Sequence, residues 1–174
     1  MRRIKKIAVL GSGVMGSGIA CHFANAGLQV LMLDILPPDL PENKKNDPAA
    51  RNRIAAQSLD FTIKSKPAPL MDKDFASRIT LGNLVDDMAK IKDCDWVIEV
   101  VVERLDIKRQ IFEQVDKHRR KGSLVTSNTS GIPIHLMLEG RSDDFRQHFC
   151  GTHFFNPPRY MALLEIIPTP HTSR

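Results

Sequence analysis

The sequence predicts a doubly wound α/β domain, a mostly parallel sheet with helices on both faces. Strand-like and helix-like stretches alternate along almost all of its 174 residues. The strand-like runs are continuously apolar, as in strands covered on both faces, rather than alternating apolar with polar. A cluster of glycines separates the first such run from the first helical stretch. With 42% hydrophobic and 26% charged residues, the chain is expected to bury one sizeable core as a single domain, residues 1–174.

Ile7 to Leu10 is a short apolar run that ends in glycines, and Ile19 to Ala26 follows with helical character before Gly27. Val30 to Leu33 is a second unbroken run, ending on Asp34. Pro37, Pro38, Pro41 and Pro48 mark a surface excursion over 37–48. Asp47 and Pro48 then have the form of a helix N-cap and first helical residue, opening a helix to about Lys64. Arg78 to Leu81 is a brief strand and Trp96 to Val102 a stronger one, followed by an amphipathic helix over Ile107 to His118 and a strand over Leu124 to Ser127. A short helix near Ile132 to Leu138 precedes two further strands, Phe149 to Phe155 and Leu163 to Ile167.

The net charge is +5, with Arg2, Arg3, Lys5 and Lys6 crowding the start and Arg119, Arg120 and Lys121 closing a predicted helix. Aromatic residues make up 6% and do not interleave with the basic groups, which argues against a stacking surface for nucleic acid. The basic runs read as solvated faces or as charges that complement a helix dipole. Cys21, Cys94 and Cys150 are odd in number, widely spaced and set in apolar stretches, so they read as buried free thiols of a reducing compartment. No segment approaches the ~18 apolar residues of a membrane span, and the expectation is a cytosolic protein or a processed organellar form. His148, Cys150 and His153 could suggest a metal site, but on one strand the third points away from the first two; no metal is expected.

Gly11-Ser-Gly13-Val14-Met15-Gly16 lies between a strand and a helix, and Asp34 ends the second strand 23 positions after Gly11. In that context Gly11 makes the tight turn, Gly13 lets the backbone approach a pyrophosphate and Gly16 allows close packing of helix on strand. The free amides of the helix start, with the positive end of its dipole, then face the phosphates. Asp34 is placed to accept hydrogen bonds from the adenosine ribose and would repel a 2′-phosphate, so NAD is favoured over NADP. The spacing predicts a Rossmann-type site, though FAD remains open from this motif alone.

From Trp96 onward the chain resembles the 3-hydroxyacyl-CoA dehydrogenase family in four places. These are the stretch ending in Glu103 and Lys108, the Ser127-Asn128-Thr129-Ser130 turn, Gly151-Thr-His153-Phe-Phe-Asn156-Pro157, and Leu163-Leu-Glu165-Ile. The resemblance implies that His153 is the general base for the 3-hydroxyl and that Glu165 orients and charge-stabilises its imidazole. Alcohol oxidation independently needs a base that works near neutral pH, for which a carboxylate-supported imidazole is suited. By the same resemblance Ser130 would hydrogen-bond the substrate oxygen, Asn156 and Glu103 would contact the nicotinamide ribose side, and Lys108 would lie along the cofactor. The plain alternatives are a turn serine, a loop-capping asparagine and a solvated helix pair.

The family continues into a helical domain that mediates homodimerisation, closes over the acyl-CoA and supplies an active-site asparagine. The expectation is that this domain begins where the sequence stops, after Pro168-Thr-Pro-His-Thr-Ser, and that no hydratase domain precedes Met1. The resemblance thus implies an NAD-dependent interconversion of L-3-hydroxyacyl-CoA and 3-ketoacyl-CoA, as in fatty-acid oxidation. Two alternatives stay open: a gulonate dehydrogenase or crystallin-like relative with the same histidine motif, and a non-catalytic NAD-binding sensor, which would have no need of the His153 and Glu165 pair.

Overall fold

Ile7, Ala8, Val9 and Leu10 are wholly buried, as a run with no polar face requires, and they form the central strand β1 (Lys6–Leu10). A computed structural model describes residues 3–173 of the chain; Arg2 of the basic start lies outside them. Parallel neighbours flank β1 on both sides: β2 (Gln29–Asp34) pairs Val30 with Ile7, and β4 (Trp96–Glu99) pairs Trp96 with the same residue. With β3 (Ile79–Asn83), β5 (Leu124–Ser127), β6 (Phe149–Phe154) and β7 (Leu164–Pro168), the sheet has seven strands in the order β3-β2-β1-β4-β5-β6-β7. Only β7 runs antiparallel. The chain reverses its direction of winding between β1 and β4, and ligands of such sheets bind at that switch point, beyond the carboxyl ends of the strands.

Alternate strand residues feed two cores, which is why the apolar runs show no polar side. Ile7, Val9, Val30, Met32 and Ile98 pack under α1 (Val14–Asn25) and α3 (Arg53–Lys64) with Ile19, Ala24, Ala55 and Leu59. Ala8, Leu10, Leu31, Val97 and Val125 pack on the other face against Phe112 and Val115 of α4 (Leu105–His118) and Phe145 of α5 (Asp143–Gln147). Phe112, Phe145 and Phe149 form an aromatic cluster there, with ring centroids 5.3 to 5.6 Å apart. The three cysteines are buried and unpaired, and burial raises the thiol pKa values of Cys21 and Cys94 to about 11.

Several local expectations are corrected. The helix opened by the Asp47 N-cap, whose carboxylate accepts from the Ala49 amide, is interrupted: α2 (Pro48–Arg51) ends at Asn52, with φ −95° and ψ 10°. The Asn52 side-chain carbonyl accepts from Asn83 at the end of β3, 2.7 Å away, so a tertiary contact coincides with the break. β4 ends at Glu99 instead of Val102 because the Glu99 carboxylate takes the Val101 amide at 2.8 Å, turning the chain out of the sheet. The segment near Ile132 to Leu138 is a 3-10 turn, Ile134–Leu138, and α5 is an addition. Arg119 is not solvated: its buried side chain pairs with Asp144 and donates to the Ser123 carbonyl. No helix of the described residues is long and apolar enough to cross a membrane.

Candidate active site

The glycine loop joins β1 to α1 at the switch point, and its geometry follows from what a Cβ would meet. Gly11 has φ +104°, and a Cβ there would stand 2.6 Å from the Val100 carbonyl oxygen, so the loop passes directly under the chain leaving β4. At Gly16 a Cβ would lie 1.9 Å from the Gly11 carbonyl oxygen; only glycine lets α1 start this close to the turn. At Gly13 nothing lies within 4 Å of the Cβ position, leaving room for a large ligand group against the backbone. The start of α1 is thus an open anion cradle that a pyrophosphate would fit.

Beside it, Asp34 at the end of β2 folds back on the loop. Its Oδ2 accepts the Ser12 amide at 2.6 Å and the Ser12 hydroxyl at 2.5 Å, while Oδ1 accepts the Ile35 amide. Asp34 therefore shapes the glycine loop from the end of β2. Gly13 and Val14 line a shallow hollow with Ser17, Ser58, Phe61 and Thr62.

A cleft of about 360 Å³ continues past the loop, and Met15, Glu103, Ser130, His153 and Asn156 all line it. Five residues singled out from separate parts of the sequence converge on one hollow. His153 reaches it from β6 and pairs in register with Glu165 of antiparallel β7. Across that pair, His153 Nδ1 lies 2.7 Å from Glu165 Oε2. Against a carboxylate, Nδ1 carries the proton and Nε2 presents its lone pair. Asn128 fixes the far wall, its Oδ1 accepting the Phe154 amide at 2.9 Å.

Glu103 is held by the turn opposite. Its Oε1 accepts from the Thr129 hydroxyl and from the amides of Ser130 and Gly131, and its Oε2 lies 3.2 Å from Lys108 Nζ. Partial burial pushes its pKa up, but these hydrogen bonds and the Lys108 charge outweigh it and hold the carboxyl down to about 2. A group depressed in the folded state stabilises above its unfolded pKa, near 4.5, and loses that contribution as pH falls toward the folded value. Glu103→Gln is therefore expected to cost about 1 kcal/mol at neutral pH after allowance for solvent screening. The difference from the parent protein should shrink between about pH 4.5 and 2 in urea titrations, and a constant difference across that range would show that the charge is not responsible.

Lys108 corrects the sequence reading. It neither lies along an open cofactor surface nor forms a solvated helix pair: its side chain is 1% exposed, and Nζ is 2.7 Å from Glu99 Oε1 beneath Glu103. Sequence reasoning missed Glu99, which is wholly buried at the end of β4. Its signal was present, since a carboxylate in the middle of Val97-Ile98-Glu99-Val100-Val101 must find a buried partner. Burial pushes the Glu99 pKa up, and Lys108 opposes the shift. A larger cleft, about 590 Å³, opens beside α4 and α5, but Glu113, Asp116, Asp144, Lys117 and Arg119 line it with charges of both signs, and no predicted site residue reaches it.

Fold and site together define a dinucleotide-binding domain of the dehydrogenase type. A family model described as the NAD binding domain of 3-hydroxyacyl-CoA dehydrogenase matches residues 6–174. The chain is 55% identical over 177 residues to a protein of Bacillus subtilis named a probable 3-hydroxyacyl-CoA dehydrogenase, covering 98% of the chain and 22% of that protein. A protein of the same description from Deinococcus radiodurans is 51% identical over 170 residues, covering 98% of the chain and 47% of that protein. Among solved structures, (S)-3-hydroxybutyryl-CoA dehydrogenase from Ralstonia eutropha is 33% identical with a TM-score of 0.71, covering 98% of the chain and 56% of that structure. The chain belongs to the 3-hydroxyacyl-CoA dehydrogenase family and is an NAD-binding domain of it. It spans between about a fifth and a half of the length of these two curated relatives.

Proposed function

We propose that this domain supplies the cofactor site and the proton-transfer pair for reversible oxidation of L-3-hydroxyacyl-CoA to 3-ketoacyl-CoA. The observation that carries the reading is the His153 to Glu165 contact of 2.7 Å at the edge of the cleft that begins at the glycine loop. NAD, when bound, supplies the acceptor for the hydride from the substrate's C3. Gly11, Gly13, Val14, Met15 and Gly16 cradle the pyrophosphate, Asp34 takes the adenosine ribose, and Glu103 and Asn156 stand at the nicotinamide ribose. His153 Nε2 removes the proton of the 3-hydroxyl, Glu165 holds the ring and balances the imidazolium that forms, and Ser130 donates to the substrate oxygen. The acyl-CoA class rests on the names of the relatives and on the resemblance of the histidine motif. A sensor module has no use for the dyad, and a sugar-acid substrate is tested by turnover of gulonate against acetoacetyl-CoA.

Residues 1–174 are read as the cofactor domain of a larger, homodimeric, cytoplasmic protein, with a helical domain closing the site. Support comes from the greater length of the relatives and from the apolar side chains that β7 and its approach leave in solvent: Met161, Leu163, Leu164, Ile166 and Ile167. The buried free thiols fit a reducing compartment.

NADH is expected to bind with clear preference over NADPH. Asp34→Ala should narrow the gap by about tenfold, the scale of one charge-assisted hydrogen bond. The ratio is the informative quantity, because freeing Ser12 loosens the loop for both ligands alike. Equal affinities in the unmutated protein, measured by calorimetry, would remove Asp34 from the site.

A further inference from the structure

Glu99 has no place in the roles above, yet it is a wholly buried carboxylate with three donors. Its Oε1 accepts from Lys108 Nζ at 2.7 Å and from the Val101 amide at 2.8 Å, and its Oε2 accepts from the Ser127 hydroxyl at 2.5 Å. Those donors come from three elements: α4, the chain leaving β4, and the end of β5. Lys108 then passes the connection to Glu103, 3.2 Å away, and Glu103 gathers the Thr129 hydroxyl with the Ser130 and Gly131 amides. An unbroken line of polar contacts thus runs from the sheet interior to one wall of the cleft, joining the two turns that follow β4 and β5.

Stability alone does not account for the arrangement. Two carboxylates share one buried ammonium, and a buried ion pair seldom outperforms well-packed apolar side chains of similar volume. In register, Glu99 faces Leu10 and Ser127, where an apolar residue would continue the core. A buried network in which every member is satisfied does, however, fix geometry. Without the Glu99 charge, Lys108 has Glu103 as its remaining carboxylate partner, and the ammonium would draw that carboxylate inward, away from the Thr129 hydroxyl and the Ser130 and Gly131 amides.

We propose that Glu99 is a positioning residue for the nicotinamide end of the cofactor site, acting through Lys108 to hold Glu103 and the 128–131 turn in the geometry that receives the nicotinamide ribose. The inference rests on the reading of Glu103 as a cofactor-facing group. It predicts a selective defect: the adenosine and pyrophosphate half of the site is built by the glycine loop and Asp34, whose side-chain hydrogen bonds go to Ser12 and Ile35 and not to Glu99, Lys108 or Glu103.

The test compares NADH with ADP, which carries the adenosine and pyrophosphate but no nicotinamide ribose. Calorimetry on Glu99→Gln is expected to show NADH affinity lowered by about tenfold with ADP affinity unchanged within about twofold. Glu103→Gln serves as the control and should show the same selectivity. Ser127→Ala leaves the Glu99 charge in place but removes the donor to Oε2; it should show a smaller selective loss, about two- to threefold, and carries the test if Glu99→Gln does not fold. Equal losses for NADH and ADP, or no loss for either, would overturn the proposal. If Glu103→Gln leaves NADH affinity untouched, the reading of Glu103 itself fails; if Glu103→Gln is selective and neither Glu99→Gln nor Ser127→Ala is, only the positioning role fails.

Discussion

Replacing His153 by glutamine in the larger protein proposed above is expected to lower turnover of acetoacetyl-CoA with NADH by about 10²- to 10⁴-fold, while NADH affinity stays within about twofold. Glutamine nearly preserves the side-chain volume and can still meet Glu165 with an amide hydrogen, but it cannot exchange a proton near neutral pH. In the direction of ketone reduction the same atom must deliver the proton to the substrate oxygen, so the loss should appear in both directions. The cofactor is expected to be insensitive because His153 enters the cleft from β6, whereas the glycine loop follows β1, with β5 and β4 between the two strands. Steady-state kinetics with a parallel binding measurement separate the two quantities. Retained turnover would move the base to another residue, and a large loss of NADH affinity would make His153 a binding group.

The second large effect concerns the open side of the site. The 174-residue chain by itself is expected to bind NADH yet turn over acetoacetyl-CoA at least about 10³-fold more slowly than the same sequence joined to a second domain. Hydride transfer needs the acyl carbon held in near-attack geometry, and positioning of that kind is worth several powers of ten. His153 is 20% exposed and Glu165 49% exposed, so water reaches the pair. Ile166, at 68% exposure, and Leu163, at 56%, stand on the same edge with nothing over them among the described residues. A covering domain would shed water from the dyad and bury these side chains together. Comparable turnover per site in the two proteins would show that residues 1–174 complete the active site unaided.

Much of this architecture is legible in the sequence because a buried parallel strand leaves a plain signature. Val30 to Leu33 reads as a strand and is one, since both of its faces are buried. The glycine loop is legible for a different reason: the positive φ at Gly11 and the backbone contact at Gly16 admit no side chain. The same rule misplaces the end of β4. Val100, Val101 and Val102 extend the apolar run, but the Glu99 carboxylate ends the strand by capturing the Val101 amide two positions on, a local side-chain-to-backbone bond that hydrophobic patterning does not record. α5 is short, and a single buried anchor, Phe145, is too little periodicity to announce it.

The site divides along the same line. His153 and Glu165 could be picked out as residue types suited to proton transfer, but a separation of twelve positions does not specify that they face each other across an antiparallel pair. That follows from the turn through Asn156 to Tyr160, whose register no composition rule provides. Lys108 shows the converse, a residue correctly connected with Glu103 whose burial inverted its expected exposure. Glu99 announces itself only as a charged residue in an apolar strand; which partners it finds depends on the fold bringing α4 and the end of β5 onto it.

The most direct measurement is the turnover of acetoacetyl-CoA with NADH by His153→Gln, Glu165→Gln and the double variant, each in the larger protein proposed above. If Glu165 acts by holding and charge-balancing the His153 imidazole, it has nothing left to support once the imidazole is gone. Glu165→Gln alone should therefore slow turnover by about 10- to 10³-fold, and the double variant should be no slower than His153→Gln alone. Losses that multiply in the double variant would mean that the two residues act separately, and would contradict the assignment of the 2.7 Å contact between them as the catalytic pair.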